Sequence, residues 1–191
     1  MASRLLLTLG AVAVCGALND EASASQSSPP ELPTRTESFQ QQVKLEPPIM
    51  FFLQSPQRCG MPLQHALTGQ SANLVDRDDL MFTNRGPSIS IRLMWPGYTP
   101  WSRQIPTRDF GMAPQPITKS TLAKSVAKVV RQFIEEAGTC HWHTEEDADL
   151  AWRVGTGHIQ LQDLSLIGLQ HVSMSSWQAY VALLPGRVQA I

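Results

Sequence analysis

The strongest hydrophobic pattern in the chain predicts one long amphipathic helix near residues 118–138. Apolar side chains recur there every three or four positions and share one face: Leu122, Val126, Val129, Val130, Phe133 and Ala137. Thr118 or Ser120 can cap the first turn, and Gly138 is typical of a helix end. Because the opposite face is basic, we expect the apolar face to pack on a core while the other face meets water.

Alternating and short apolar runs predict about five β-strands. Residues 88–95 alternate so that Ile89, Ile91 and Leu93 share one face, as in a half-buried strand. Residues 173–176 form a small turn between two apolar runs, which indicates a hairpin. The two hairpin strands are 164–172 and 177–184, and the other strand candidates are 49–53 and 157–162.

The order of these elements predicts an α+β domain over residues 43–191. A short helix that begins near Pro62 and ends before Gly69, and two strands, precede the long helix; about three strands follow it. The simplest architecture is an antiparallel sheet of about five strands with the one principal helix packed on a face. A chain of 191 residues, of which 42% are hydrophobic and 16% charged, suits a single folded domain of this kind.

Residues 1–24 have the layout of a secretory signal peptide. Arg4 precedes an apolar run at 5–18, and Ala22-Ser23-Ala24 offers a small-x-small cleavage pattern. The run is too short for a stable membrane span. Residues 25–42, rich in Ser, Pro and Gln, are expected to form a flexible arm. We expect the protein to be secreted if the leader is cleaved, and cytoplasmic or nuclear if it is not.

Charge balance and the motifs that the chain lacks narrow the function. The formal net charge is −1, and the few basic residues of the helix make too thin a positive surface to favour nucleic acid as a partner. The sequence holds no phosphate-binding glycine loop and no serine in a nucleophile-elbow setting. No catalytic residue and no cofactor is therefore assigned, and an enzyme is the less favoured class.

The segment 95–108 concentrates aromatic and arginine side chains among prolines. Pro96, Pro100 and Pro106 exclude a helix there. Since aromatic residues and arginine dominate binding energy at interfaces, the segment predicts a rigid loop that binds a protein partner. The predicted contact residues are Trp95, Tyr98, Trp101, Arg103 and Arg108. A second interpretation stays open, in which the rings fold back and cap the core.

Metal-ligand side chains follow the predicted helix and favour a different hypothesis. His141 and His143 would point the same way from an extended segment, and Cys140 and Glu145 lie close enough in sequence to complete a site. A divalent metal held there would make the chain a metal-binding protein or a metal-dependent enzyme. The spacing matches no standard zinc pattern, and the alternative is a solvated connector after the helix.

Cysteine usage supports a third hypothesis, a secreted effector-like protein. Removal of the leader would take Cys15 away and leave Cys59 and Cys140 as a pair. A disulfide between them would close a long loop and contribute on the order of 4 kcal/mol to stability. In a reducing compartment both would instead remain thiols, buried in the fold.

Several segments resemble a lineage-restricted family of uncharacterised fungal proteins, mainly basidiomycete. The most specific is Trp95-Pro-Gly-Tyr-Thr-Pro-Trp-Ser-Arg-Gln-Ile-Pro106, and the resembling segments together span about 43–184. Others are Pro48-Ile-Met-Phe-Phe-Leu-Gln-Ser-Pro-Gln-Arg-Cys-Gly60 and Leu169-Gln-His-Val-Ser173. The resemblance implies a common fold and a fungal source. It implies no activity, cofactor or catalytic residue.

Overall fold

One long helix and a sheet of six strands carry the fold. The computed structural model describes residues 45–139 and 150–185, so the predicted leader and arm lie outside the described residues. The elements in chain order are β1 (Ile49–Met50), β2 (Phe52–Gln54), β3 (Gln57–Cys59), β4 (Met61–Pro62), α1 (Leu63–Thr68), β5 (Ser88–Leu93), β6 (Trp101–Pro106), α2 (Lys119–Thr139), β7 (Leu164–Ser173) and β8 (Ser176–Leu183). No helix in this part of the chain is long and apolar enough to cross a membrane.

The main sheet is mostly antiparallel and contains one parallel pair. Its strand order is β1-β7-β8-β5-β6, and β4 also pairs with β7. The strands β5 and β6 form one antiparallel pair, β7 and β8 form another, and the parallel pairing of β5 with β8 joins them. A parallel pair needs a long connection, and here the connection from β5 to β8 contains β6, α2 and β7. The α+β prediction with one principal helix is thus confirmed, whereas the central strand pair departs from the predicted antiparallel pattern.

Helix α2 begins and packs as its apolar pattern predicts. The backbone N–H of Thr121 donates to the Thr118 hydroxyl at 3.2 Å, which caps the first turn. Gly138 does not end the helix, which continues to Thr139. The apolar face is buried in one core with the inner face of the sheet, and its fully buried members include Leu122, Val126, Val130 and Phe133.

Two predicted strands differ in the structure. The run 49–53 is interrupted at Phe51, so that β1 joins the main sheet while β2 pairs with β3 in a separate two-stranded sheet. Residues 157–162 form no strand, because Gly157 has a φ of 81° and turns the chain there. A short 3₁₀ helix at Leu161–Asp163 follows directly. Alternation of apolar residues thus indicated burial in this segment without a strand.

The predicted loop 95–108 contains an edge strand. Its second half is β6, which pairs with β5 from Ser88 opposite Pro106 to Leu93 opposite Trp101. The prolines bracket this strand rather than interrupt it, since Pro100 precedes β6 and Pro106 is its last residue. The segment therefore departs from the predicted loop because its prolines stand only at positions where a strand tolerates them.

Candidate interaction surface

The rings of Trp95 and Trp101 lie in the core. They are 3% and 6% exposed, and both contact the Phe133 ring of α2, with centroid distances of 5.7 and 5.8 Å. The Trp95 indole N–H donates to the Trp152 carbonyl at 2.7 Å, so its polar edge is satisfied within the chain. The second interpretation, in which aromatic rings cap the core, describes these two residues, and neither ring is presented to solvent.

Tyr98 is half-buried and links the turn before β6 to the segment after α2. Its ring packs edge-on against Phe133 at a centroid distance of 5.6 Å. The backbone N–H of Val154 donates to the Tyr98 hydroxyl at 3.2 Å. Gly97, with a φ of 77°, lets the chain turn just before this residue. Tyr98 therefore holds two connecting segments together.

Arg103 and Glu136 form the polar contact between β6 and α2. Arg103 Nη2 donates to Glu136 Oε1 at 2.6 Å, and its guanidinium lies 5.1 Å from the centre of the Trp101 ring. The Trp101 indole N–H donates to Glu136 Oε2 at 3.1 Å. The hydrogen bond from Arg103 is the main cause that lowers the pKa of Glu136, although desolvation opposes it. The Arg103 side chain remains 46% exposed.

Arg108 is half-buried and ties two loops together. Its Nη2 donates to the Thr83 carbonyl at 2.9 Å and lies 3.4 Å from the Arg85 carbonyl. Of the five residues predicted to contact a partner, Arg103 is thus the one whose side chain is well exposed. Trp95, Tyr98 and Trp101 meet around the Phe133 ring, whereas Arg108 makes its contacts with the Thr83 and Arg85 carbonyls. The role of these four residues in partner binding stays a prediction.

Among the described residues, the most exposed apolar side chains lie just past Arg108, on residues 109–115, which we call the tip loop. Phe110 is 95% exposed, and Met112 is fully exposed. The base of the loop is held firmly, because the Asp109 N–H donates to the Gln115 carbonyl at 2.9 Å and the Gln115 N–H donates to Asp109 Oδ1 at 2.9 Å. The backbone N–H of Gly111 also donates to Asp109 Oδ1, at 3.3 Å.

Sequence reasoning did not select the tip loop as a site. Asp109 and Gly111 are typical turn residues, and they were the feature of the sequence that pointed to this segment. That signal predicts a turn but does not say whether Phe110 points inward or outward. Exposure of this ring depends on which distant residues pack around the loop, and the local residue pattern does not contain that information.

Cys59 lies exposed on the two-stranded sheet. It lies opposite Phe52 in the β2–β3 pair, beside a depression of about 420 Å³ that both residues line. The expectation of a buried thiol is therefore wrong for this residue. Local desolvation nevertheless raises the pKa of the Cys59 thiol, which disfavours the reactive thiolate. Cys140 lies outside the described residues, so the Cys59–Cys140 disulfide stays a prediction.

The predicted metal ligands are also outside the described residues. They are Cys140, His141, His143 and Glu145. Within residues 45–139 and 150–185, no group of three or more His, Cys, Asp or Glu side chains is placed to hold a metal ion. The metal-binding hypothesis therefore stays a prediction about residues 140–145.

Comparison with known proteins identifies no relative. No protein-family model matches the chain, and neither a curated protein nor a solved structure matches it. The fungal-family resemblance carried by the 95–106 segment stays a prediction.

Proposed function

We propose that the chain is a non-enzymatic interaction module that binds a protein partner through the tip loop. The observation that carries this proposal is the exposure of Phe110 and Met112 on a loop whose base is fixed by hydrogen bonds. A large apolar side chain left in water forgoes roughly 1.5–3 kcal/mol of burial free energy. A partner pocket that encloses both side chains would recover this free energy.

Preorganisation of the loop supports binding. Asp109 fixes the backbone on both sides of Phe110, through its own N–H and through its carboxylate. A loop that already has its bound conformation loses less conformational entropy when it binds. Aromatic anchors that enter a pocket carry a large share of the binding energy at protein interfaces. Phe110 is the natural anchor of this loop, and Met112 adds an adaptable apolar contact.

The 95–108 residues support this surface as its scaffold. Arg108 immediately precedes the loop and is tied to the Thr83 carbonyl. Trp101 anchors the start of β6 in the core, so the strand that leads to the loop has a defined position. Arg103 is the member of this set that a bound partner can reach beside the sheet. The proposed contact point thus lies a few residues past the segment that the sequence singled out.

The decisive experiment removes the apolar side chains of the tip in the full-length chain. The double variant Phe110→Ser, Met112→Ser should lose the partner in affinity purification from the native host, while the midpoint of thermal unfolding stays nearly unchanged. Met174→Ser is the matched control, because Met174 is 63% exposed but lies on the turn between β7 and β8. If the double variant captures the same proteins as the wild type, the tip loop is not the contact site.

A further inference from the structure

Within residues 45–139 and 150–185, strand β6 leaves one edge of the main sheet open. It is the last strand in the sheet order, and β5 is its partner among the described residues. The Thr107 N–H donates to the Pro87 carbonyl at 3.0 Å, which establishes which backbone groups face β5. Alternate residues of an antiparallel strand direct their backbone groups to opposite sides. The N–H and C=O groups of Ser102 and Gln104 therefore point away from β5.

The open edge is accessible to solvent. Ser102, Arg103 and Gln104 are exposed at consecutive positions, which a strand covered on both sides does not show. Unpaired backbone groups on an edge recruit other strands, and natural proteins guard such edges with prolines, charges or short strands. Strand β6 has few of these protective features. Pro106 removes an N–H only at the end of the strand, and Arg103 is the one charged residue in it.

We infer that this edge pairs with the same edge of a second copy of the chain, antiparallel about a two-fold axis. With Gln104 opposite Gln104 of the second copy, the two Gln104 N–H groups donate to each other's carbonyls. In the same register, each Ser102 N–H meets the carbonyl of Pro106 in the second copy. Every N–H that β6 directs to the open edge then has an acceptor, and the missing N–H of Pro106 is not needed.

Charge selects this register over its neighbour. Arg103 lies opposite Ile105 of the second copy, and its charge is balanced within its own chain by Glu136 at 2.6 Å. The neighbouring register would set Arg103 against Arg103, and like charges directly opposite on a sheet are destabilising. A pair of short strands buries little surface, so we expect a weak, reversible dimer. This edge contains Arg103 but no residue of the tip loop.

Sedimentation velocity of the full-length chain over a concentration series tests the inference. The wild type should pass from monomer to dimer. Gln104→Pro removes an N–H that the β5–β6 ladder does not use, and it should raise the dimer dissociation constant at least about tenfold, equivalent to 1.4 kcal/mol. Gln104→Ala is the matched control, because it changes the side chain but keeps the N–H and should leave the dissociation constant nearly unchanged.

Amide hydrogen exchange on the wild type keeps the test valid if the proline variant folds poorly. The N–H groups of Ser102 and Gln104 should exchange fast in dilute protein and slowly in concentrated protein. A chain that stays monomeric throughout the series overturns the inference, as does a dimer in which these two amides remain unprotected. The tip-loop double variant should dimerise like the wild type, so failure of the dimer and failure of the proposed function are distinguishable.

Discussion

The indole N–H of Trp101 donates a hydrogen bond to the Glu136 carboxylate across 3.1 Å and joins the edge strand to the principal helix. The same indole packs on the Phe133 ring and lies under the Arg103 guanidinium. One residue of β6 thus combines an apolar contact with α2 and a polar one. The two contributions can be separated by substitution.

Trp101→Ala should destabilise the fold strongly. The ring is 6% exposed, and truncation of a buried tryptophan leaves a cavity that costs about 3–5 kcal/mol. Urea unfolding followed by circular dichroism measures the loss. Phe110→Ala, at an exposed ring, should change the free energy of unfolding by no more than about 0.5 kcal/mol. A stable Trp101→Ala protein that has lost its partner would instead make this ring a binding contact.

Glu136 should make stability depend on pH in the acidic range. The pKa of its carboxyl is lowered in the folded chain, chiefly by the hydrogen bond from Arg103. The resulting stabilisation is therefore fully present above the pKa of an unfolded glutamate and is lost as pH falls through the lower, folded pKa. Wild type and Glu136→Gln should differ most near neutral pH and converge in acid, as measured by urea unfolding at each pH. A gap that does not narrow in acid would contradict this expectation.

Gly168→Ala should weaken the pairing of β1 with β7. A Cβ at this position would lie 2.9 Å from the Ile49 carbonyl oxygen and 2.9 Å from Met50 Sδ, and the backbone oxygen cannot move without shifting β1. We expect a loss of about 1–3 kcal/mol in the free energy of unfolding, the range for an overpacked site. Gly86→Ala is the control, because a Cβ there meets nothing within 4 Å. Equal stability of the two variants would show that β1 can shift away from the added Cβ at little cost in free energy.

Asp109→Ala should weaken partner binding without removing any apolar contact. The Asp109 carboxylate accepts hydrogen bonds from the Gly111 and Gln115 N–H groups, so its loss frees the tip loop and raises the entropy cost of binding. We expect several-fold weaker capture with a small change in thermal stability. Asp109→Asn keeps an oxygen acceptor and should restore most of the binding. If both variants bind like the wild type, the rigidity of the loop is irrelevant to the contact.

Hydrophobic periodicity predicted the elements that bury a single face. Helix α2 and strand β5 were found in this way, because each presents regularly spaced apolar residues such as Val126 and Ile91 to one core. Turn residues predicted the β7–β8 hairpin for a similar reason, since the geometry of a short turn is local. The α+β class followed from the order of these elements.

Long-range packing decided what these patterns left open. The sequence by itself determined that 95–108 is not helical and that it concentrates aromatic side chains. The tertiary structure decided that Trp101 turns inward, because α2 places Phe133 where the ring can pack. Phe110, a few residues later, has no such neighbour in the part of the chain that the structure describes, and it faces solvent. The parallel pairing of β5 with β8 was decided in the same way. A local pattern specifies backbone geometry and the side that is buried, but the partner that covers that side comes from residues far away in the chain.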